Sequence, residues 1–250
     1  MAARAGTTYQ GGSRFYIDPD SGKKLPGVTS VLAMLPKGFL GPWNASMAAN
    51  WAVDNIAIVA DLAKRDPKAC AELIKGAARR YTSLRADIGT AAHGMFETMA
   101  AGGEIEGVTP EMEPYYRHFS EFLAKWQPSI VAQEYTVWDD EIGYAGSADA
   151  CVDIDGERLV LDYKTSKDLH EETGIQLACY RAAKHILAPD GSKVPNYATV
   201  GGAVLHVTPA GWKLCPFACG EAELGVFKNL LAIHAWEARK RGVIGRPLVR

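Results

Sequence analysis

No uninterrupted apolar stretch of this sequence approaches the ~20 residues that a bilayer-spanning helix needs, so no membrane association of that kind is expected. Residues 1–12 hold one Arg and no apolar run, unlike a secretory signal, and a cytoplasmic protein is the expectation. Cysteine is scarce. Cys70, Cys151, Cys179, Cys215 and Cys219 are odd in number and scattered, which does not suit a disulfide framework. Only Cys215 and Cys219 are close together, and no second pair matches them, so no zinc site is expected. Excess positive charge is missing too. With 27 Lys and Arg against 29 Asp and Glu the net charge is -2, which excludes a protein that grips polyanions by bulk electrostatics; any such surface must be local. A Gly-x-x-x-x-Gly-Lys-Ser/Thr loop is absent, so the chain has no motor of that class. There is no internal repeat and no low-complexity segment. What is present, 250 residues of which 48% are hydrophobic, suffices for one sizeable core with a helical elaboration.

Residues 1–27 read as an N-terminal arm. The stretch 11–27 is rich in Gly, Pro, Asp, Ser and Lys and suits a loose arm or short hairpin with a turn at Pro26-Gly27. Residues 28–127 read as a helical region. Thr29 is placed to cap a short helix that Pro36 stops; 43–62 carries apolar residues at helical spacing; Pro67 begins a helix to about residue 80. Ser83 or Asp87 is expected to cap the helix that carries His93, and Pro110 to open one that reaches residue 126. In residues 128–250 the period changes. Segments 130–138, 145–154 and 159–163 read as strands, with Asp155-Gly156 as a tight hairpin turn. A helix over 170–187, strands over 199–207 and 212–214 and a last helix over 221–241 follow. The order predicts an α/β (α+β) fold, a single domain whose mixed central sheet is flanked by helices, with an N-terminal helical cap.

The chemistry concentrates on that hairpin. Antiparallel pairing around Asp155-Gly156 brings Asp149 near Asp162. Two carboxylates held close repel each other, and a hard divalent cation such as Mg²⁺ or Mn²⁺ relieves them. Lys164 lies two residues after Asp162 and leaves the same face of the strand, where an ammonium can orient water or stabilise charge on a phosphate. Two acids, a lysine and a metal make a phosphodiester-cleaving set. In Gly89-Thr90-Ala91-Ala92-His93, His93 is expected at the start of a helix, with Glu97 one turn on as a neighbour that orients it. Gln176 and Tyr180 are likewise one turn apart, on the helix after Lys164.

Taken together, Gly89-Thr90-Ala91-Ala92-His93, Gly146-Ser147-Ala148-Asp149, Asp162-Tyr163-Lys164-Thr165 and Gln176 to Tyr180 resemble the motifs of the PD-(D/E)xK nuclease superfamily, in order and spacing. More narrowly they are similar to its RecB-type branch, with the Cas4-like and phage-type exonucleases. Leu25-Pro26-Gly27-Val28-Thr29-Ser30-Val31-Leu32 is similar to the opening of many phage-type members. The resemblance implies a restriction-endonuclease-like core and a metal-dependent deoxyribonuclease, an exonuclease acting in recombination, repair or phage DNA processing. It implies that His93, Asp149, Asp162 and the backbone carbonyl of Tyr163 bind Mg²⁺ or Mn²⁺, that Lys164 is the catalytic lysine, and that Gln176 and Tyr180 support the site or touch DNA. Glu134, on the preceding strand, is a further contributor. Cas4-like members carry an iron–sulfur cluster on one cysteine before the His helix and three near the C-terminus. Here Cys70 fills the first place but no cysteine follows Cys219, so no cluster is expected.

DNA is the expected partner, and a helicase or single-strand annealing partner and a homo-oligomer are left open. Arg79, Arg80, Arg85, Lys167, Arg239, Lys240 and Arg241 form basic clusters suited to phosphates. Trp43 and Trp51 can stack on bases, although core packing is the expectation for both. The alternative is a non-catalytic nucleic-acid-binding or partner-docking module that keeps the nuclease fold. A second rival is a small-molecule enzyme in which Asp162 and Lys164 form only an ion pair.

Overall fold

A computed structural model describes residues 5–247, the side chain of Arg241 excepted. Arg241 of the expected basic cluster therefore lies outside the described side chains. The chain divides into two compact units, residues 36–91 and the remainder.

In the larger unit the N-terminal segment takes the hairpin alternative expected for residues 11–27 and not the loose arm. It forms an antiparallel sheet of three strands, β1 (Thr7–Gln10), β2 (Ser13–Ile17) and β3 (Lys24–Pro26), in that order. Tyr16 and Leu25, opposite each other on β2 and β3, are buried in one cluster with Trp138, Ala145 and Leu187. That burial outweighs the turn-rich composition.

The turn after β2 is tied down by Asp18. Its Oδ1 accepts from the N–H groups of Asp20 (2.9 Å) and Ser21 (3.2 Å), and Lys193 Nζ lies 2.5 Å from its Oδ2. Lys193 also reaches Asp140, at 2.7 Å. Burial pushes the Asp18 carboxyl up, but Lys193 and the two backbone donors outweigh it and hold the carboxyl down at about 2. A carboxyl depressed by folding stabilises the fold above its unfolded pKa and loses that contribution as pH falls towards its folded value. Asp18→Asn is therefore expected to cost about 1–2 kcal/mol at pH 6. The gap to wild type should close between about pH 4 and pH 2, a comparison that paired urea titrations make directly.

After β3, helix α1 (Val28–Leu32) begins at Gly27 without a side-chain cap, so the expected Thr29 cap does not form. Val28, Val31 and Leu32 anchor the helix by burial instead.

Residues 36–91 hold α2 (Leu40–Asp54), α3 (Ile56–Arg65), α4 (Pro67–Lys75) and the start of α5 (Ala77–Ala100). The single helix expected over 43–62 is broken at Asn55, which leaves helical geometry (φ -119°, ψ 31°) while its Nδ2 donates to the Trp51 carbonyl at 2.8 Å. Asp66 caps α4 by accepting from the Ala69 N–H, with Pro67 in the first turn. The helix expected to continue to residue 80 instead stops at Gly76. Neither Ser83 nor Asp87 caps anything, because α5 runs through both. His93 thus stands deep in a 24-residue helix, not at a helix start. Neither α2 nor α3 buries a residue fully.

The rest of the larger unit comprises α6 (Glu113–Trp126), β4 (Ser129–Asp139), β5 (Tyr144–Ile154), β6 (Glu157–Lys164), α7 (Glu172–Ala182), β7 (His185–Leu187), β8 (Lys193–Pro195), β9 (Gly201–Thr208), β10 (Gly211–Phe217) and α8 (Glu221–Arg239). The last seven strands make one mixed sheet, ordered β10-β9-β6-β5-β4-β7-β8, in which β6 and β9 are parallel. Asp155 and Gly156, both at positive φ (50° and 82°), turn β5 into β6 as expected. The helix expected over 170–187 ends at Ala182, because Asn196 Nδ2 donates to the carbonyls of Tyr180 and Ala183, and Ile186 then pairs with Val137 on β4. Val28 and Val31 of α1, Leu177 and Tyr180 of α7 and Leu224 and Phe227 of α8 pack with sheet residues such as Val160 and Val204 in the main core. A second layer is aromatic: Phe96 of α5 stacks on Phe119 of α6 at 4.3 Å, and both meet the Tyr163 ring edge-on at 5.6 Å. The protein is thus mixed α/β, and among the described residues no helix is long and apolar enough to cross a membrane.

Candidate active site

The β5–β6 ladder ends at Ala150 opposite Leu161. One step beyond stand Asp149 and Asp162, where the two strands part. Asp149 takes over the role of a backbone partner: its Oδ2 accepts from the Tyr163 N–H at 2.7 Å. Asp162 is 1% exposed. Gln176 Nε2 donates to its Oδ1 at 3.0 Å and also to the Tyr180 hydroxyl, one turn along α7, at 2.9 Å. The other oxygen, Oδ2, lies 2.6 Å from Lys164 Nζ, but no well-directed hydrogen bond reaches it. It is a buried anionic oxygen facing a cation without hydrogen-bond alignment. His93 enters from α5, with Nδ1 3.7 Å from Asp149 Oδ2 and its ring edge-on to Tyr163.

The electrostatics record a surplus of acid. Burial, and then the charge of Asp162, push Asp149 well above the usual carboxylate range, and Lys164 only partly offsets them. Burial lowers His93; the negative charge of Asp162 works against that and the positive charge of Lys164 adds to it. The Tyr163 backbone favours the charged imidazole, as the smallest of these effects. His93 and Asp149 thus meet at 3.7 Å, each pushed towards its neutral form by burial. For Lys164, burial lowers the pKa, but the attraction of Asp162 wins and the ammonium is held protonated.

Every residue expected at the site is therefore in one cluster: Asp149, Asp162, Lys164, His93, Gln176, Tyr180 and the Tyr163 backbone. The sequence did not reveal the Tyr163 N–H as the anchor of Asp149. It also hid the backbone of Glu134. This residue, opposite Asp149 between the pairs Gln133–Ala150 and Tyr135–Ala148, has a φ of 46° in mid-strand. A left-handed non-glycine residue costs about 1 kcal/mol or more, and such strain gathers at functional sites. The charge of Glu134 raises both Asp149 and Tyr163, and that of Glu97 reaches Tyr163 as well.

Gly146 has a packing reason. A Cβ there would stand 2.7 Å from Cε1 of the buried Tyr180 ring and 3.1 Å from Val28 Cγ2. Gly146→Ala is expected to cost about 1–3 kcal/mol by overpacking. It should also pull the Tyr180 hydroxyl off Gln176, so that Asp162 loses its alignment. Thermal melts set beside a cleavage assay would read both effects, and a variant matching wild type in both would remove this linkage.

No family model and no curated protein matches the chain. Among solved structures, the one described as "Crystal structure of SSO0001" aligns at 16% identity over 47% of this chain and 54% of its own, with a TM-score of 0.32. The alignment thus spans about half of that chain, and a likeness of this size carries no argument.

Among the described residues, no three His, Cys, Asp or Glu side chains form a ready-made metal cage. The donors nonetheless suit Mg²⁺ or Mn²⁺, which keep water ligands and need only one or two carboxylates from the protein. The unaligned Oδ2 of Asp162 and the mutual repulsion of the two acids are what a bound cation would answer.

Proposed function

We propose that the protein is a Mg²⁺- or Mn²⁺-dependent DNA nuclease of the PD-(D/E)xK type, in its RecB-type branch, most closely an exonuclease. The observation that carries this reading is the convergence of Asp149, Asp162, Lys164 and His93 at the point where β5 and β6 part. His93, Asp149, Asp162 and the Tyr163 carbonyl would hold the cation. When bound, it supplies Lewis acidity, lowering the pKa of water and polarising a phosphate oxygen. The residues of the chain do the positioning. Asp149 is fixed by the Tyr163 N–H, and Asp162 by Gln176, which Tyr180 holds in turn. The Lys164 ammonium, beside Asp162, donates to a phosphate oxygen or to the attacking water and offsets the negative charge that builds as the P–O bond to the leaving strand breaks. Glu134, opposite Asp149 on β4, adds its negative charge to the surroundings of the site.

The test is hydrolysis of end-labelled linear, circular and single-stranded DNA by the purified chain with Mg²⁺, with Mn²⁺ and with EDTA. Cleavage that needs the divalent cation and a free end is the expected result, and inertness on all three substrates would end the reading. One observation favours the small-molecule-enzyme rival: the 2.6 Å Lys164–Asp162 approach is what the simple ion pair expected there looks like. A non-catalytic DNA-binding module would bind the metal and DNA without cutting.

A further inference from the structure

Residues 36–91 carry eight Lys and Arg against five Asp and Glu, a net charge of +3 in a chain whose total is -2. The unit also leaves aromatic surface uncovered. The faces of α2 and α5 that turn towards each other do not close. Between them lies a cavity of about 310 Å³, lined by Met47, Asn50 and Trp51 of α2 and Arg80, Tyr81 and Leu84 of α5. The α5 residues share one face at helical spacing. Trp51 is half-buried, and Tyr81 and Leu84 are 42% and 58% exposed. Core packing, expected for Trp43 and Trp51, is not what the fold uses them for. Trp43 meets the Tyr81 ring edge-on at 6.1 Å, and the Arg80 guanidinium lies 4.9 Å over the Trp51 ring.

Among the described residues no carboxylate lies within ion-pair distance of Arg80, although Asp54 lines the same cavity. A planar cation on an aromatic face, unpaired by any acid and set in a cavity at the small end of ligand sites, suits a planar base joined to a phosphate. Asn50 and Asp54 supply hydrogen-bonding groups for the edge of a base. A duplex offers no free base face, whereas an unpaired strand offers one at every nucleotide.

We propose that the Trp51–Arg80–Tyr81 cavity holds an unstacked base of single-stranded DNA, with Arg80 on its phosphate. This rests on the nuclease reading for its choice of DNA. The test measures binding of a labelled oligothymidylate and of a duplex of equal length to the full chain in EDTA, so that cleavage plays no part. Arg80→Ala and Trp51→Ala should each weaken single-strand binding about fivefold to a hundredfold, the range of one lost stacking contact. Trp51→Phe should retain most of the affinity, and Arg80→Lys should be intermediate, since it keeps charge but loses the plane. Should Trp51→Ala not fold, Tyr81→Ala carries the same test on an exposed ring. Unchanged single-strand binding in Arg80→Ala, or an equal loss on duplex, would overturn the proposal. A wild type that binds the single strand through these residues yet cuts no DNA with Mg²⁺ or Mn²⁺ would sink the nuclease reading and leave this one standing.

Discussion

Asp149→Asn is expected to lower metal-dependent DNA cleavage by about two to three orders of magnitude, several kcal/mol of charge stabilisation at 1.36 kcal/mol per tenfold. The same substitution should leave the metal-free protein at least as stable as wild type. Asparagine keeps the size of the side chain and still offers an oxygen to the Tyr163 N–H, which lies 2.7 Å from Oδ2 in the native site. It cannot ionise, at a position where burial and the charge of Asp162 both oppose a negative charge. Within the metal-free site Lys164 and the Tyr163 N–H favour that charge but do not outweigh burial and Asp162, whereas the proposed metal binding depends on it. Wild type should melt higher with Mn²⁺, by about 2.7 kcal/mol when the ion is a hundredfold above its Kd, and the variant should lose most of that gain. Calorimetry with and without Mn²⁺, beside a cleavage assay, separates the two effects. If Asp149→Asn cut DNA like wild type, the proposed ligand set would be wrong. If it melted several degrees lower without metal, the argument from repulsion would fail.

The part of this arrangement that could be read from the residues is the part built by short-range rules. Asp155-Gly156 demands a two-residue turn, the turn sets the register, and the register alone puts Asp149 beside Asp162 and Lys164 on the face of Asp162. The spacing of Gln176 and Tyr180 on one helical face is equally local, and their shared hydrogen bond follows. Long-range effects were not legible. Residues 185–187 continue a helical pattern, but Ile186 finds a strand edge at Val137, and the gain from that pairing is invisible to local spacing. Ser83 and Asp87 look like caps, yet no helix break falls beside them; the helices change at Gly76 instead. Residues 11–27 read equally as a loose arm or a short hairpin, because the burial that favours the hairpin depends on Trp138 and Leu187, more than a hundred residues away. Glu134 shows the same limit at the site itself. Its residue type suggested a contributor, but nothing in the local spacing marks the left-handed backbone it adopts between two paired residues in mid-strand.

Lys164→Met should shift stability in the opposite direction to Asp149→Asn while also abolishing most cleavage. Methionine fills much of the same space but brings no charge. Asp162 would then be left nearly fully buried, with Gln176 on one oxygen and no cation facing the other. Removing one partner of a buried ion pair costs about 3–5 kcal/mol; Lys164 is 29% exposed, so about 2–3 kcal/mol is the expectation without metal. Mn²⁺ should restore much of the loss, because a divalent cation answers the same uncompensated carboxylate. The decisive step is the double variant. Adding Asp162→Asn to Lys164→Met removes the stranded charge and should recover stability, so that the two changes combine far from additively. Equal stability of Lys164→Met and wild type in EDTA would mean that the ammonium does not sustain the Asp162 carboxylate. The site would then have to hold its surplus acid in some other way.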